Sequence, residues 1–196
     1  MTALSIDRPL FRRSLSELFP KSDEKLHTFV VTTENASATV SASPDTKAST
    51  SSVGVSAAVW SEATGLFEAA CDESFYDGID SQFSRALTAL VVAHRATAIQ
   101  VVTDLIVNEQ VSSEAASEAL RCVGRMDDPF SHSDRRWLLE RCLFSPDELV
   151  RDGAGSGLLA LNDAHATQYI RRAIQNETDP DVRFKLEQVL ARLESR

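Results

Sequence analysis

The feature that most constrains this chain is an apolar pattern that returns about every 32 residues. Val150, Arg151, Leu158 and Leu161 recur as Val182, Arg183, Leu190 and Leu193, while Leu138 and Cys142 recur as Ile170 and Ile174. One step further back, Ala116, Leu120 and Val123 align with Ala154, Leu158 and Leu161 at a spacing of 38. Kept apolar positions with a drifting period are what loop-length variation produces in a helical repeat. No single unit of such a repeat buries its own apolar face, so copies must stack.

Inside the pattern the spacing is helical. Phe83, Leu87, Leu90, Val91 and His94 make one stripe, and Ile99, Val102 and Ile106 a second. Further stripes run through Ala116, Ala119, Leu120 and Val123, then through Leu138, Leu139, Cys142 and Leu143. Val150, Ala154, Leu158 and Leu161 make the next, followed by Ala166, Tyr169, Ile170 and Ile174, and by Val182, Leu186, Val189 and Leu193. These positions follow the i, i+3, i+4 rule of an amphipathic helix. Seven helices joined by short connections are antiparallel hairpins. Asp80, Ser112 or Ser113, and the serines of 131–133 are the expected caps. Ser145-Pro146 and Asp179-Pro180 read as helix starts with proline at the first helical position, and Ser145 with Glu148 reads as a capping box.

Gly153, Gly155 and Gly157 fall inside the helix expected over 146–161, where each costs about 1 kcal/mol relative to alanine. Close helix–helix approach, with Ala154 and Gly157 on the packed side, accounts for them better than a phosphate-cradling loop. GAGSG has neither the GxxxxGK[ST] nor the GxGxxG spacing.

Ahead of the repeats the composition changes. Residues 32–58 hold no aromatic, leucine or isoleucine, too little apolar area to offset the entropy of ordering a backbone. This stretch reads as a largely disordered Ser/Thr/Ala-rich linker, with a marginal hairpin of 29–33 against 38–42 as the alternative. Residues 1–31 carry Phe11, Leu15, Leu18 and Phe19 on one helical face, a short arm that must dock in cis or on a partner. The expected division is therefore 1–31, 32–58 and a repeat domain over 59–196. Residues 62–80 are acidic and aromatic, either a cap on the first repeat or a contact for a basic partner.

Charge and chemistry narrow the function classes. A net charge of -9 disfavours phosphate-backbone binding, which needs a basic surface. No apolar run is long enough to span a membrane and no secretory leader is visible, so a cytoplasmic protein without membrane contact is expected. The four histidines are scattered, and Cys71, Cys122 and Cys142 form no CxxC, so no metal site or cofactor is implied. Cys122 and Cys142 fall on apolar stripes, and Cys71 sits among carboxylates that disfavour its thiolate. SHSD at 131–134 reads as capping rather than as a catalytic triad.

The segments SPDELVRDGAGSGLLAL and DPDVRFKLEQVLARL resemble the second-helix halves of HEAT repeats: an Asp/Pro-rich turn, then Val-Arg, then small and Leu positions. The resemblance is clearest over 133–196, weaker over 97–126 and absent before about residue 80. It implies an all-α, short right-handed α-solenoid of stacked antiparallel helix pairs, HEAT- or armadillo-like, serving as a protein-binding scaffold. A non-enzymatic interaction module follows as the expectation, an adaptor or an inhibitor of the antitoxin or immunity type. Arginine outnumbers lysine sixteen to four and crowds the repeats. The expected partner contacts are Arg135, Arg136, Arg171 and Arg172 with Trp137 and Tyr169 as aromatic anchors. Two other HEAT-like roles stand as alternatives: a bilin lyase or tetrapyrrole chaperone, and a DNA-binding protein of the alkylation-repair type.

Overall fold

The computed structural model describes residues 49–76 and 79–195, with side chains from residue 57 onward. The chain divides into two units, Met1–Pro44 and Asp45–Arg196. The expected N-terminal arm and hairpin lie outside the described residues. Among those residues there are eight α-helices and no strand: α1 Ser49–Ala70, α2 Gln82–His94, α3 Ala96–Val107, α4 Ser113–Arg125, α5 His132–Cys142, α6 Glu148–Leu161, α7 Thr167–Asn176 and α8 Pro180–Glu194. Each of the seven expected stripes is a helix. No helix among the described residues is long and apolar enough to cross a membrane.

The eighth helix departs from expectation, because α1 begins at Ser49, inside the stretch read as a linker. Val59, Ala63, Phe67 and Ala70 explain it: they form a buried face on its C-terminal half, and α1 packs on α2 and α3. Once that half is anchored, extending it backwards through Ser, Val and Ala costs little, since propagation is cheap after nucleation.

Local chemistry sets the boundaries. Ser81, rather than Asp80, caps α2 by accepting the Ser84 N–H, and the Glu73 carboxylate accepts the next two orphan donors at Gln82 and Phe83. Ser112 caps α4. The capping box expected at Ser145 does not form. Asp147 caps α6 instead, accepting from Leu149 and Val150, while Ser145 Oγ accepts the Asp147 N–H. A carboxylate is the stronger acceptor at the positive end of a helix, so it takes the cap. The Asp179-Pro180 start is as expected.

The even-numbered helices pack in chain order, α2 on α4, α4 on α6 and α6 on α8. On the other row α1 packs on α3 and α3 on α5, and the rows are joined by α1–α2, α2–α3, α4–α5, α5–α6 and α7–α8. A continuous core runs through all eight, including Leu87, Leu120, Leu138, Leu158, Ile170 and Leu186, all essentially inaccessible. Each such side chain contributes roughly 1.5–3 kcal/mol by leaving water.

The repeated Val-Arg pair now has a physical meaning. Arg151 donates to the carbonyls of Ser145 and Pro146, and Arg183 to that of Glu177, so each arginine folds back on the turn that precedes its own helix. Arg151 also grips the Glu177 carboxylate with two bonds of 2.7 and 2.8 Å, fastening the start of α8 to α6. These arginines hold turns in place.

The α4–α6 seam is the tightest in the described residues that the glycines define. A Cβ on Gly153 would fall 2.7 Å from Ser117 Cα, and one on Gly157 would fall 2.6 Å from the Leu120 carbonyl oxygen. From the opposite side, a Cβ on Gly124 would strike the Gly157 backbone. Gly155 faces the other way, toward the end of the Leu186 side chain on α8. The glycines belong to one continuous helix, as the close-approach reading requires.

Candidate functional site

The six residues expected to contact a partner differ widely in exposure. Arg135 is 2% exposed and belongs to the core. Its guanidinium donates to the carbonyls of Val123, Met126 and Asp128, closing the C-terminal end of α4 and the turn after it. Burial pulls its pKa down, opposed by the carboxylates of Asp128 and Asp127. A helix C-terminus has carbonyls without intrahelical donors, and this arginine supplies them. That role, fixed by α5 crossing the end of α4, removes it from any partner surface.

Arg136 is half-buried and bonds Asp163 at 2.8 Å, with Glu140 at 3.5 Å. Arg171 pairs with Glu194 on the surface. Tyr169 is half-buried against the core. Trp137, at the matching repeat position, is 51% exposed, with Arg141 lying 5.4 Å from its ring centre. Arg172 is exposed and stacks 5.6 Å from the Phe144 ring.

The polar cluster around Asp163 joins residues that are far apart in sequence. Burial opposes ionisation of this carboxyl, yet donors outweigh it and hold it well below the usual carboxylate range. They are the backbone N–H and ring of His165, Arg136, and His132 at 3.0 Å. Neighbouring Glu140 goes the other way. Burial, with the Asp163 charge adding to it and Arg136 opposing, pushes its pKa from 4.5 up to about 6. A carboxyl whose folded pKa lies above its unfolded value loses stabilisation as pH rises through that interval, and the penalty is constant above it. Glu140→Gln should therefore gain about 1–2 kcal/mol at pH 7.5 and nothing at pH 4, read from urea unfolding at both pH values. No group of three His, Cys, Asp or Glu among the described residues can hold a metal ion.

Cysteine chemistry is equally constrained. Burial pushes the Cys142 thiol up to about 12. Burial also raises Cys122, whose Sγ donates to the Ser84 carbonyl across the α2–α4 contact. Neither is available as a thiolate nucleophile at neutral pH.

Between α6 and α8 lies an open trough of about 690 Å³. The two seams of α6 differ: glycines bring α6 onto the α4 backbone, whereas toward α8 it meets side chains such as Leu186, and the base of the trough is closed by the buried Val182, Leu186 and Val189. Leu159 and Ala160 of α6 and Gln188 and Arg192 of α8 make its walls and rim. None of its lining side chains is Cys or His. At one end Asp152, 8% exposed, accepts from Arg121 of α4 at 2.8 Å and from Lys185 of α8 at 2.6 Å. Burial works against its ionisation, but the Lys185 and Arg121 bonds prevail and hold its pKa below the ordinary value.

Sequence reasoning passed over this arrangement, although a signal was present. Arg121 and Lys185 stand 31 and 33 residues from Asp152, one repeat length each way. Charges one period apart meet across neighbouring helices. Against known proteins, no family model, curated protein or solved structure matches this chain.

Proposed function

We propose that this chain is a non-enzymatic protein-interaction module, a short α-solenoid of stacked helix pairs that receives a protein partner in the α6–α8 trough. The chain-order packing of the even helices supports the stacked arrangement. The observation that carries the functional reading is the trough itself, lined by the exposed Leu159 and Ala160 of α6 and by the exposed Lys185, Gln188 and Arg192 of α8. This is the architecture by which helical grooves take up a partner segment. A tetrapyrrole-handling role needs a Cys, His or Asp in an apolar groove, and Asp152 is the trough's only side chain of that kind, already held by two cations.

One observation favours a second location. Trp137 is an exposed aromatic with a guanidinium beside it, the composition of an interface anchor. The two are separated by affinity purification from the native host with wild type, Ala160→Trp and Trp137→Ala. Ala160 is exposed on the trough wall, so its replacement fills the groove without disturbing the core. A defined partner retained by wild type and Trp137→Ala, and depleted at least about tenfold by Ala160→Trp, is the expected result, equivalent to about 1.4 kcal/mol. Depletion by Trp137→Ala alone moves the site to α5. Equal recovery on all three overturns the reading.

A further inference from the structure

We infer that this chain takes a second copy of itself as a partner by exchanging α1 and α2, with the corner between α2 and α3 opening into one continuous helix over 82–107. The trough plays no part in this exchange. Arg95 alone separates the two helices, the shortest connection among the described ones. Its backbone, at φ 46 and ψ -121, lies outside the left-handed helical well. Asn162 ends α6 at φ 57 and ψ 42, inside that well, where asparagine is accommodated. Arg95 instead holds the conformation of the first central residue of a type II′ turn, a glycine position. A residue with a Cβ is strained there, and such strain persists only where the surrounding packing imposes it.

The local sequence does not ask for a corner. Residues 82–107 contain neither glycine nor proline. A straight helix would join the N–H groups of Ala96, Thr97 and Ala98 to the carbonyls of Val92, Ala93 and His94, each four residues back. As folded, no side chain caps the start of α3. Burial imposes the bend: α2, with Phe83, Leu87, Leu90 and Val91 inaccessible, packs on α1, α3 and α4. The Arg95 guanidinium adds a tie, stacking 4.4 Å from the centre of the Phe130 ring beyond α4. A second copy meets the same burial without the corner. When α1 and α2 cross to the other molecule, their mutual contact travels with them. The contacts of α1 with α3, and of α2 with α3 and α4, are remade between copies. Two strained corners give way to two unbroken helices. A short connection under strain is the circumstance that favours such an exchange.

Size-exclusion chromatography with light scattering on the full chain, over a wide range of concentration, reads the dimer. Arg95→Ala and Arg95→Gly both remove the guanidinium, so they separate backbone from side chain. Glycine relieves the corner and weakens a continuous helix, whereas alanine keeps the strain and favours the helix. Expected is a dimer that Arg95→Ala retains and Arg95→Gly weakens about tenfold or more in dissociation constant. Exchange itself is read with Thr88→Cys in a Cys71→Ser background, because Thr88 Oγ1 lies 3.5 Å from Cys122 Sγ across the α2–α4 contact. Once oxidised, the new pair closes within one chain in the monomer and between chains in an exchanged dimer. Free-thiol counting on the monomer fraction verifies that the bond forms. The isolated dimer should then run as a covalent dimer on a denaturing, non-reducing gel, and as a single chain after reduction. A chain that stays monomeric at every concentration overturns the inference, as does a dimer that both Arg95 variants affect equally. A dimer whose oxidised chains separate on the gel also overturns it, because the copies then dock without exchanging helices.

Discussion

Gly157→Ala should cost about 2–4 kcal/mol, and Gly124→Ala at least as much, although alanine is the better helix former. Across the α4–α6 seam a methyl added at Gly124 meets only the Gly157 backbone, and one added at Gly157 meets the Leu120 carbonyl as well as the end of the Leu139 side chain. Backbone atoms of a packed helix cannot give way one at a time, so α6 would have to withdraw bodily from α4. Two controls use the same chemical change. Gly155→Ala meets only the end of Leu186, which can rotate, and should cost far less. Gly65→Ala meets nothing within 4 Å on α1 and should gain up to about 1 kcal/mol. Thermal unfolding reads the series, at about 2–4 °C per kcal/mol for a chain of this size. Equal effects at all four positions would show that close approach is not what the glycines serve.

Arg135→Leu should cost about 3–5 kcal/mol, the other large effect in this molecule. The leucine conserves the apolar stem but leaves the Val123, Met126 and Asp128 carbonyls without their donor in a buried corner. Arg135→Lys should recover little, because one ammonium cannot span carbonyls that a planar guanidinium reaches with two nitrogens. Urea unfolding separates this role from the one expected from sequence. A residue used for partner contact would leave stability unchanged when replaced, whereas the observed geometry makes stability the quantity that falls.

Arg135 also marks where sequence reasoning stops. Periodicity reveals which face of a helix is apolar, and it located the helical spans from α2 to α8 because each one buries a stripe. It says nothing about which arginine in a run of two reaches inward. Arg135 and Arg136 are adjacent and chemically identical, yet one closes the end of α4 and the other bonds Asp163. Only the crossing of α5 over α4 decides between them. The start of α1 was hidden for a related reason: its first turns have a linker's composition, and the buried Val59–Ala63–Phe67 face that anchors them lies further on. The trough was illegible because a gap has no residue pattern of its own. It arises from the contrast between a glycine seam and a leucine seam on opposite flanks of α6.

That contrast has a mechanical consequence. Stiffness in a stack of helices resides wherever backbones touch, and compliance wherever only side-chain ends bridge the space. The α4–α6 pair therefore behaves as one rigid plank, while α8 is tethered to it by the Lys185 and Arg151 bonds and a few leucine and valine tips. The joint between α6 and α8 is therefore the one expected to yield first, and hydrogen exchange faster in α8 than in α4 and α6 would show it.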